Sequence, residues 1–195
     1  MYKKININEM QMGILSLFTA YGRDYYIREI ERILAISPRS AQLTLEALEK
    51  KAVLESKLKG KIKLYSLRRT VSAALYAVMA EQYKTIVFIE SHPLAAEILA
   101  KAKPHINGIG LIFGSYAKGL EEKDSDIDLF VAGDCNALEI RRIGKIYGID
   151  VNIKQYSLEI FEKSVKTDVL LKEILASHII FLNSEMFVKA VLENG

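Results

Sequence analysis

Apolar positions in the first third of the chain recur every three to four residues, which is the spacing of an amphipathic helix. They predict three helices, over residues 10–22, 28–35 and 39–51, with a short strand-like segment between the first two. Ser37 followed by Pro38 is typical of a helix N-cap with proline in the first turn, so the third helix is predicted to begin there.

Alternating apolar and polar positions follow the third helix and predict two strands, over 53–57 and 61–67. Residues 58–60, with the sequence Leu-Lys-Gly, join them as a hairpin. Three helices followed by a hairpin predict a winged helix-turn-helix domain over residues 1–68.

The next stretch, residues 69–104, predicts connecting helices rather than a flexible linker. A long helix over 71–89 is apolar on more than one side. His92-Pro93 interrupts it, because the residue before a proline leaves the helical conformation, and a second helix is predicted over 94–103.

The remaining residues, 105–195, alternate between strand and helix patterns and predict an α/β domain with a small mixed sheet flanked by helices. Residues 133–136 are predicted to form a turn, and His178 to cap a helix. The predicted elements are strands over 110–113, 127–131 and 149–153, a helix over 136–147, and helical segments from 161 to 195. The fold class is therefore α+β.

Composition sets limits on the class of protein. The 195 residues carry a formal net charge of +3, with a sequence pI of about 8.8, which permits contact with nucleic acid without requiring it. The single cysteine, Cys135, excludes an internal disulfide and any cysteine-based zinc cluster. No signal pattern and no long uncharged apolar run is present, so we expect a cytoplasmic protein without a membrane partner.

Candidate chemistry is concentrated between Ile109 and Val131. Asp126 and Asp128 are two residues apart on a predicted strand, so both side chains leave on the same face. Such a pair repels unless a cation lies between the carboxylates, and Mg²⁺ is commonly held by one or two carboxylates plus substrate phosphates. Upstream, a Gly-Ser pair at 114–115 allows close backbone approach to a ligand and offers donors to phosphate oxygens.

The joint pattern G-S-x10-D-x-D resembles the signature of the nucleotidyltransferase superfamily related to DNA polymerase beta. Minimal members have G-S-Y-A-R-G followed by S-D-I-D-L, and this chain has G-S-Y-A-K-G at 114–119 and S-D-I-D-L at 125–129. The departure is Lys118, where the family commonly has arginine. Charge is kept, but the planar fork for bidentate phosphate contact is lost. The resemblance covers roughly residues 90–160.

This resemblance implies transfer of a nucleoside monophosphate from a nucleoside triphosphate, with ATP as the expected donor, to a hydroxyl. Asp126 and Asp128 would hold Mg²⁺, and a third carboxylate from a following strand would hold a second ion or deprotonate the acceptor. Asp150 matches that placement, with Glu159 and Glu162 as alternatives. The predicted nucleotide-binding residues are Gly114, Ser115 and Lys118.

The N-terminal domain resembles winged-helix regulators, which place the third helix in the major groove of double-stranded DNA. The residues predicted to face base edges are Arg39, Ser40, Gln42 and Thr44. Lysines of the hairpin, including Lys59 and Lys61, would meet phosphates. Winged helices also serve as protein–protein modules, and edge lysines also prevent strand pairing, so both readings stay open. A homodimer would suit such a domain.

The acceptor is not indicated by any motif. Small nucleotidyltransferases include antibiotic adenylyltransferases, antitoxins that modify a partner toxin, and toxins that modify transfer RNA. The pairing with a DNA-binding-like domain favours an antitoxin-like regulator with a protein or nucleic-acid acceptor. Two alternatives remain: a transcriptional regulator whose nucleotidyltransferase domain only binds nucleotide, and a structural winged-helix protein.

Overall fold

The computed structural model describes residues 7–194, and the chain divides into two units between Ala80 and Glu81. The predicted domains 1–68 and 105–195 therefore each include terminal residues that lie outside the described ones. The division falls inside a long helix, α4 (Val71–Ser91), which is continuous across it.

Unit 1, up to Ala80, contains three helices followed by an antiparallel hairpin. The sequence predicts each of these elements, and their limits differ by at most two residues except at the end of the first helix. In chain order they are α1 (Glu9–Phe18), α2 (Ile27–Leu34), α3 (Pro38–Lys50), β1 (Leu54–Lys59) and β2 (Ile62–Leu67).

The third helix begins where the sequence predicts it. Ser37 accepts a hydrogen bond from the Ser40 N–H, and Pro38 occupies the first turn, where a missing N–H costs nothing. One face of α3 is fully buried through Ala41, Leu45 and Leu48, against the other helices and the hairpin.

Two local details in unit 1 differ from the prediction. The hairpin turn consists of Gly60 and Lys61, one residue later than predicted, because Lys59 pairs with Ile62. The strand-like segment reduces to a single bridge between Tyr25 and Tyr65, whose backbones exchange two hydrogen bonds of 2.9 and 2.7 Å. This bridge places a third extended segment beside the hairpin.

Unit 2, from Glu81, contains a four-stranded mixed sheet with helices on both faces. Its elements after α4 are α5 (Pro93–Ala102), β3 (Ile106–Phe113), α6 (Gly114–Lys118), β4 (Ile127–Cys135), α7 (Ala137–Ile146), β5 (Val151–Tyr156), α8 (Leu158–Ser164), α9 (Val169–Ala176), β6 (Ile179–Leu182) and α10 (Ser184–Asn194). A short 3₁₀ turn over 103–105 leads from α5 into β3.

The strand order in this sheet is β5-β4-β3-β6. Strand β3 pairs antiparallel with both β4 and β6, and β4 pairs parallel with β5. The parallel pair requires a crossover connection, which α7 provides. The sheet is therefore mixed and flanked by helices, as the sequence predicts.

Side chains from successive positions of β4 pack on opposite sides of the sheet. Leu129 and Val131 belong to a cluster with residues of α5 and α7, including Ile98 and Ile143. Phe130, between them, packs against Phe161 of α8 with ring centroids 5.9 Å apart. Burial on both faces makes β4 almost continuously apolar, which is typical of a central strand.

Two predictions in unit 2 are wrong. Residues 133–135 continue β4 instead of forming a turn, because they pair with the first half of β3. Residues 179–182 form the edge strand β6 within a region predicted to be helical. His178 is predicted to cap a helix, and its Nδ1 lies 2.8 Å from the Ile174 carbonyl in the last turn of α9. It is also buried and contacts Glu81.

Within residues 7–194, no helix is long and apolar enough to cross a membrane.

Candidate functional site

The Gly-Ser pair lies at the end of the central strand β3, directly beside β4. Phe113, the last residue of β3, is paired with Asp128. Gly114 then turns the chain with φ of 74°, a conformation that favours glycine. A Cβ built on Gly114 would overlap the Asp128 carboxylate oxygen Oδ2, so only glycine lets this carboxylate lie against the turn.

The two predicted aspartates share one partner on the neighbouring strand. Asn152 of β5 is in register with Asp128. Its side-chain nitrogen Nδ2 donates to Asp126 Oδ2 at 3.2 Å and to Asp128 Oδ1 at 3.4 Å. Because one amide group reaches both carboxylates, the side chains converge on the same face. This geometry agrees with the strand alternation that the sequence shows.

The residue paired with Asp128 is Asn152 and not Asp150, the third predicted carboxylate. Asp150 precedes β5 and is exposed, and its backbone carbonyl accepts a hydrogen bond from Ile127 N–H at 2.9 Å. The alternatives, Glu159 and Glu162, belong to α8, where Glu159 pairs with Lys163 at 2.6 Å. Asn152 shares a face of the predicted strand with Asp150 but has no predicted role, and its side chain is the one that contacts both aspartates. Knowledge of the strand register would have identified it.

The other predicted nucleotide-binding residues lie in α6. Ser115 is half-buried in its first turn, directly after Gly114. Lys118, in the last turn, forms an ion pair with Glu173 of α9, with Nζ and Oε1 2.9 Å apart. Both partners are largely exposed, and surface pairs of this kind contribute only about 0–1 kcal/mol, so this pair holds the Lys118 side chain weakly.

The loop between α6 and β4 carries Asp126 and is held at two points. Ser125 Oγ accepts a hydrogen bond from Glu122 N–H at 2.8 Å. Glu121 Oε1 lies 2.8 Å from His92 Nε2, at the break between α4 and α5. The hydrogen bond from His92 lowers the pKa of Glu121. The histidine therefore anchors this loop to unit 2.

Tyr116, which belongs to the G-S-Y-A-K-G motif but has no predicted role, is a further aromatic residue at the site. Its ring packs edge-on to Phe88 and His92, with centroids 6.4 and 5.8 Å away. Burial raises the pKa of Tyr116, and the carboxylates of Glu121 and Asp126 raise it further. The hydroxyl therefore stays protonated and can donate a hydrogen bond beside Asp126.

The donor set at this corner fits one divalent cation. Asp126 and Asp128 offer carboxylate oxygens on one face, and Gly114 leaves space around Asp128 that a side chain would fill. Mg²⁺ is commonly held by such a pair together with substrate phosphates. Among residues 7–194, however, no group of three or more histidine, cysteine, aspartate or glutamate side chains could hold a metal ion.

The predicted DNA-contacting residues of unit 1 have different surroundings. Arg39 is exposed, Ser40 hydrogen bonds to Ser37, and Gln42 Nε2 donates to Glu46 at 2.8 Å. Thr44 is buried, 9% exposed, and its hydroxyl faces the sulfur of Met10 at 3.8 Å, so this side chain is not presented to solvent.

The hairpin lysines divide in a similar way. Lys59 ends β1 and Lys61 lies in the turn, and both are exposed. Lys57, which is also exposed, pairs with Asp24 at 2.6 Å, and the half-buried Lys63 pairs with Glu49 at 2.9 Å. Lys59 and Lys61 are thus the lysines at the tip of the hairpin.

Comparison with known proteins gives one match. Residues 96–191, from α5 to α10, match the family model described as nucleotidyltransferase domain. No curated protein and no solved structure matches the chain significantly. The matched range contains the Gly-Ser corner, both aspartates and Asn152, and the match supports transfer of nucleotidyl groups as the general chemistry. The greater part of unit 2, residues 96–191, is therefore similar to nucleotidyltransferase domains.

Proposed function

We propose that this protein transfers a nucleoside monophosphate from a nucleoside triphosphate, with ATP as the donor to test first, to a hydroxyl group of a protein or nucleic acid. The observation that carries the proposal is the meeting of the Gly-Ser corner with Asp126 and Asp128 at the end of the β3–β4 pair. In this arrangement the triphosphate would lie between the turn and the carboxylates.

Each residue of the site is proposed to have a separate role in holding the triphosphate. Asp126 and Asp128 would hold Mg²⁺, which when bound neutralises phosphate charge and positions the triphosphate. Gly114 and Ser115 would bind the β- and γ-phosphates with N–H and hydroxyl donors. Lys118 would add a positive charge after exchanging its partner Glu173.

The transfer itself is an in-line displacement at the α-phosphorus. The acceptor oxygen forms a bond to phosphorus, while the bond to the bridging oxygen breaks and its electron pair leaves on pyrophosphate. The acceptor proton passes to a carboxylate, and Asp150 is the residue proposed for that role. Its exposed position ahead of β5 leaves it accessible to a large acceptor.

Unit 1 is proposed to bind double-stranded DNA as a winged helix. Three helices, a hairpin and the Tyr25–Tyr65 bridge support this assignment. Arg39, Ser40 and Gln42 would face base edges, and Lys59 and Lys61 would contact phosphates. The protein would then act as an antitoxin-like regulator, with a toxin or another protein as acceptor.

A labelling experiment tests the catalytic proposal. The full chain is incubated with α-labelled ATP, Mg²⁺ and cell lysate, and the labelled macromolecule is isolated. Asp126→Asn combined with Asp128→Asn is expected to abolish labelling while circular dichroism stays unchanged. Asp134→Asn, an exposed aspartate on the same strand, is the matched control and should label normally. Labelling that survives in the double variant would refute the assignment.

A second candidate function is a DNA-binding regulator whose nucleotidyltransferase domain only binds nucleotide. It is favoured by Asn152, a neutral side chain that faces both aspartates where a third carboxylate was expected. This candidate requires Mg²⁺-dependent ATP binding without labelling of any macromolecule. ATP would then change the affinity for DNA, measured at several salt concentrations because phosphate contacts give a steep salt dependence.

A further inference from the structure

Two carboxylates that converge on one face repel each other, and this repulsion must be offset within the protein before any cation arrives. Asn152 Nδ2 lies 3.2 Å from Asp126 Oδ2 and 3.4 Å from Asp128 Oδ1. An amide nitrogen has two hydrogens, so one Asn152 side chain can donate to both carboxylates at once. The two carboxylates also determine the orientation of the Asn152 amide, because a flipped amide would place its oxygen against two negative groups.

The position of Asn152 follows from the sheet and not from a flexible loop. It lies on β5, one residue inside the strand, and is paired in parallel register with Asp128. The neighbouring pair, Val151 and Ile127, is buried on the other side of the strands, with exposed fractions of 4% and 0%. A buried pair at the next register position restrains the backbone on both strands, so the amide is aimed before ligand binding.

The same position determines how many cations the site can hold. Two carboxylates carry two negative charges, which one divalent cation neutralises. A site with two ions needs further oxygen ligands between them. Asn152 turns its N–H groups toward both carboxylates, so its amide oxygen, the atom of this side chain that could coordinate a cation, faces away from them. Residues 7–194 also contain no cluster of three acidic, histidine or cysteine ligands.

We infer that Asn152 is the positioning residue of this site, holding Asp126 and Asp128 together when no metal is bound, and that with it the site takes a single divalent cation instead of two. The inference rests on the proposed function, because it assumes that these aspartates are the metal ligands. It deepens that function by assigning the stoichiometry and by giving the third-ligand position to a neutral side chain.

The first test counts cations on the full chain. Mn²⁺ is titrated into the protein with α,β-methylene ATP, which cannot be cleaved at the transfer position, and free Mn²⁺ is followed by electron paramagnetic resonance. We expect one Mn²⁺ per complex for the unchanged protein and for Asp150→Asn, and two for Asn152→Asp, which restores a third carboxylate. Two ions on the unchanged protein, reduced to one by Asp150→Asn, would make Asp150 the third ligand and overturn the inference.

The second test needs neither metal nor activity. In EDTA, Asn152→Ala is expected to lower the melting temperature by about 2–4 °C, because the carboxylates lose their shared donor. The same substitution in the Asp126→Asn, Asp128→Asn background should have a smaller effect, since there is no charge repulsion to offset. An equal effect in both backgrounds would show that Asn152 only packs, and would overturn the positioning role.

The outcomes of these tests distinguish failure of the inference from failure of the proposed function. Loss of Mn²⁺ binding in the Asp126→Asn, Asp128→Asn variant, together with one ion on the unchanged protein, supports both. If that variant still binds Mn²⁺ with the nucleotide analogue, the aspartates are not the ligands and both proposals fail. If the variant loses Mn²⁺ but the Asn152 variants behave like the unchanged protein in both tests, the inference fails and the proposed function stands.

Discussion

Replacing Glu81 by glutamine is expected to destabilise unit 2 by about 3 kcal/mol at neutral pH and by almost nothing near pH 2. Glu81 lies on α4 and is completely buried. Its Oε1 is 2.9 Å from His178 Nε2, and its Oε2 is 2.7 Å from Lys84 Nζ. The other ring nitrogen of His178 faces the Ile174 carbonyl at 2.8 Å.

The magnitude follows from the pKa of Glu81. Burial by itself raises this pKa, because the charged carboxylate loses its water, but the charges of His178 and Lys84 outweigh burial and lower the pKa from the ordinary value of 4.5 to about 2. At about 1.4 kcal/mol for each pH unit, this difference corresponds to about 3 kcal/mol of stability. Removing one member of a buried ion pair typically costs about 3–5 kcal/mol, which agrees.

The sign of the pH dependence is fixed by the direction of the shift. Because the pKa of Glu81 is lower in the folded than in the unfolded chain, the unfolded chain binds more protons between about pH 2 and 4.5. The stabilisation is therefore fully present above pH 4.5 and is lost as the pH falls toward 2. The glutamine variant lacks this contribution at every pH, so the difference between the two proteins should shrink over the same window.

Amide hydrogen exchange of β3 and β4 measures this difference in unit 2 alone, because central strands exchange through global opening. The full chain and the variant are compared at pH 7, with urea unfolding at several pH values down to 2.5. Glu90→Gln is the matched control, with the same chemical change at an exposed position of the same helix. It should change stability by less than about 0.5 kcal/mol.

Two results would refute this reasoning about Glu81. If Glu81→Gln costs no more than Glu90→Gln at pH 7, the buried carboxylate is not stabilised by its charged neighbours. If the cost is large but stays constant down to pH 2.5, it arises from packing and not from charge. A double substitution of Glu81 and His178 by uncharged residues should recover part of the loss, since it removes the charge left without its partner.

Two further predictions concern the candidate site. Gly114→Ala is expected to weaken Mn²⁺ binding about 10–100-fold, because the new Cβ would overlap the Asp128 carboxylate. The free energy of unfolding should fall by only about 1–2 kcal/mol. Titration calorimetry measures the Mn²⁺ affinity and urea unfolding the stability, and an unchanged Mn²⁺ affinity would contradict the close contact. His92→Ala is expected to raise the pKa of Glu121 toward 4.5, since the hydrogen bond that lowers it is lost; a carboxyl NMR titration that finds no change would mean that the His92–Glu121 pair does not form.

Local patterns predicted most helices and strands of this chain, and the errors share a physical cause. The Ser37-Pro38 cap and the His92-Pro93 break act on the residues beside them, so both are visible in the sequence. Residues 133–135 and 179–182 become strands only through pairing with β3. A short apolar run such as 179–182 cannot be assigned to strand or helix by periodicity alone, and a Gly-Asp pair is usually a turn when no partner strand is known.

The buried contact between Glu81 and His178 could not be predicted from the sequence, for a related reason. Glu81 and His178 are 97 residues apart in the chain, and each has an unremarkable neighbourhood by itself. His178 next to a serine is typical of a helix cap, and a glutamate within an apolar helix is typical of an exposed face. Only the packing of α4 against the segment between α9 and β6 brings them together.

The same difference between local and long-range pairing explains why the sequence predicted Asp150, and not Asn152, as the third residue of the candidate site. Gly114 and Asp128 belong to one antiparallel pair with a short connection, so a motif of fixed spacing captures their contact. The third position comes from β5, which reaches the site through the α7 crossover, and a crossover leaves the register of a parallel strand undetermined by spacing.

Asp150 and Asn152 lie on the same face by alternation, so the sequence could not choose between them and chemistry favoured the carboxylate. The register places the amide opposite Asp128 instead. For a site built across a parallel pair, the identity of the residue in register therefore decides the chemistry, even where the motif on the antiparallel pair is complete.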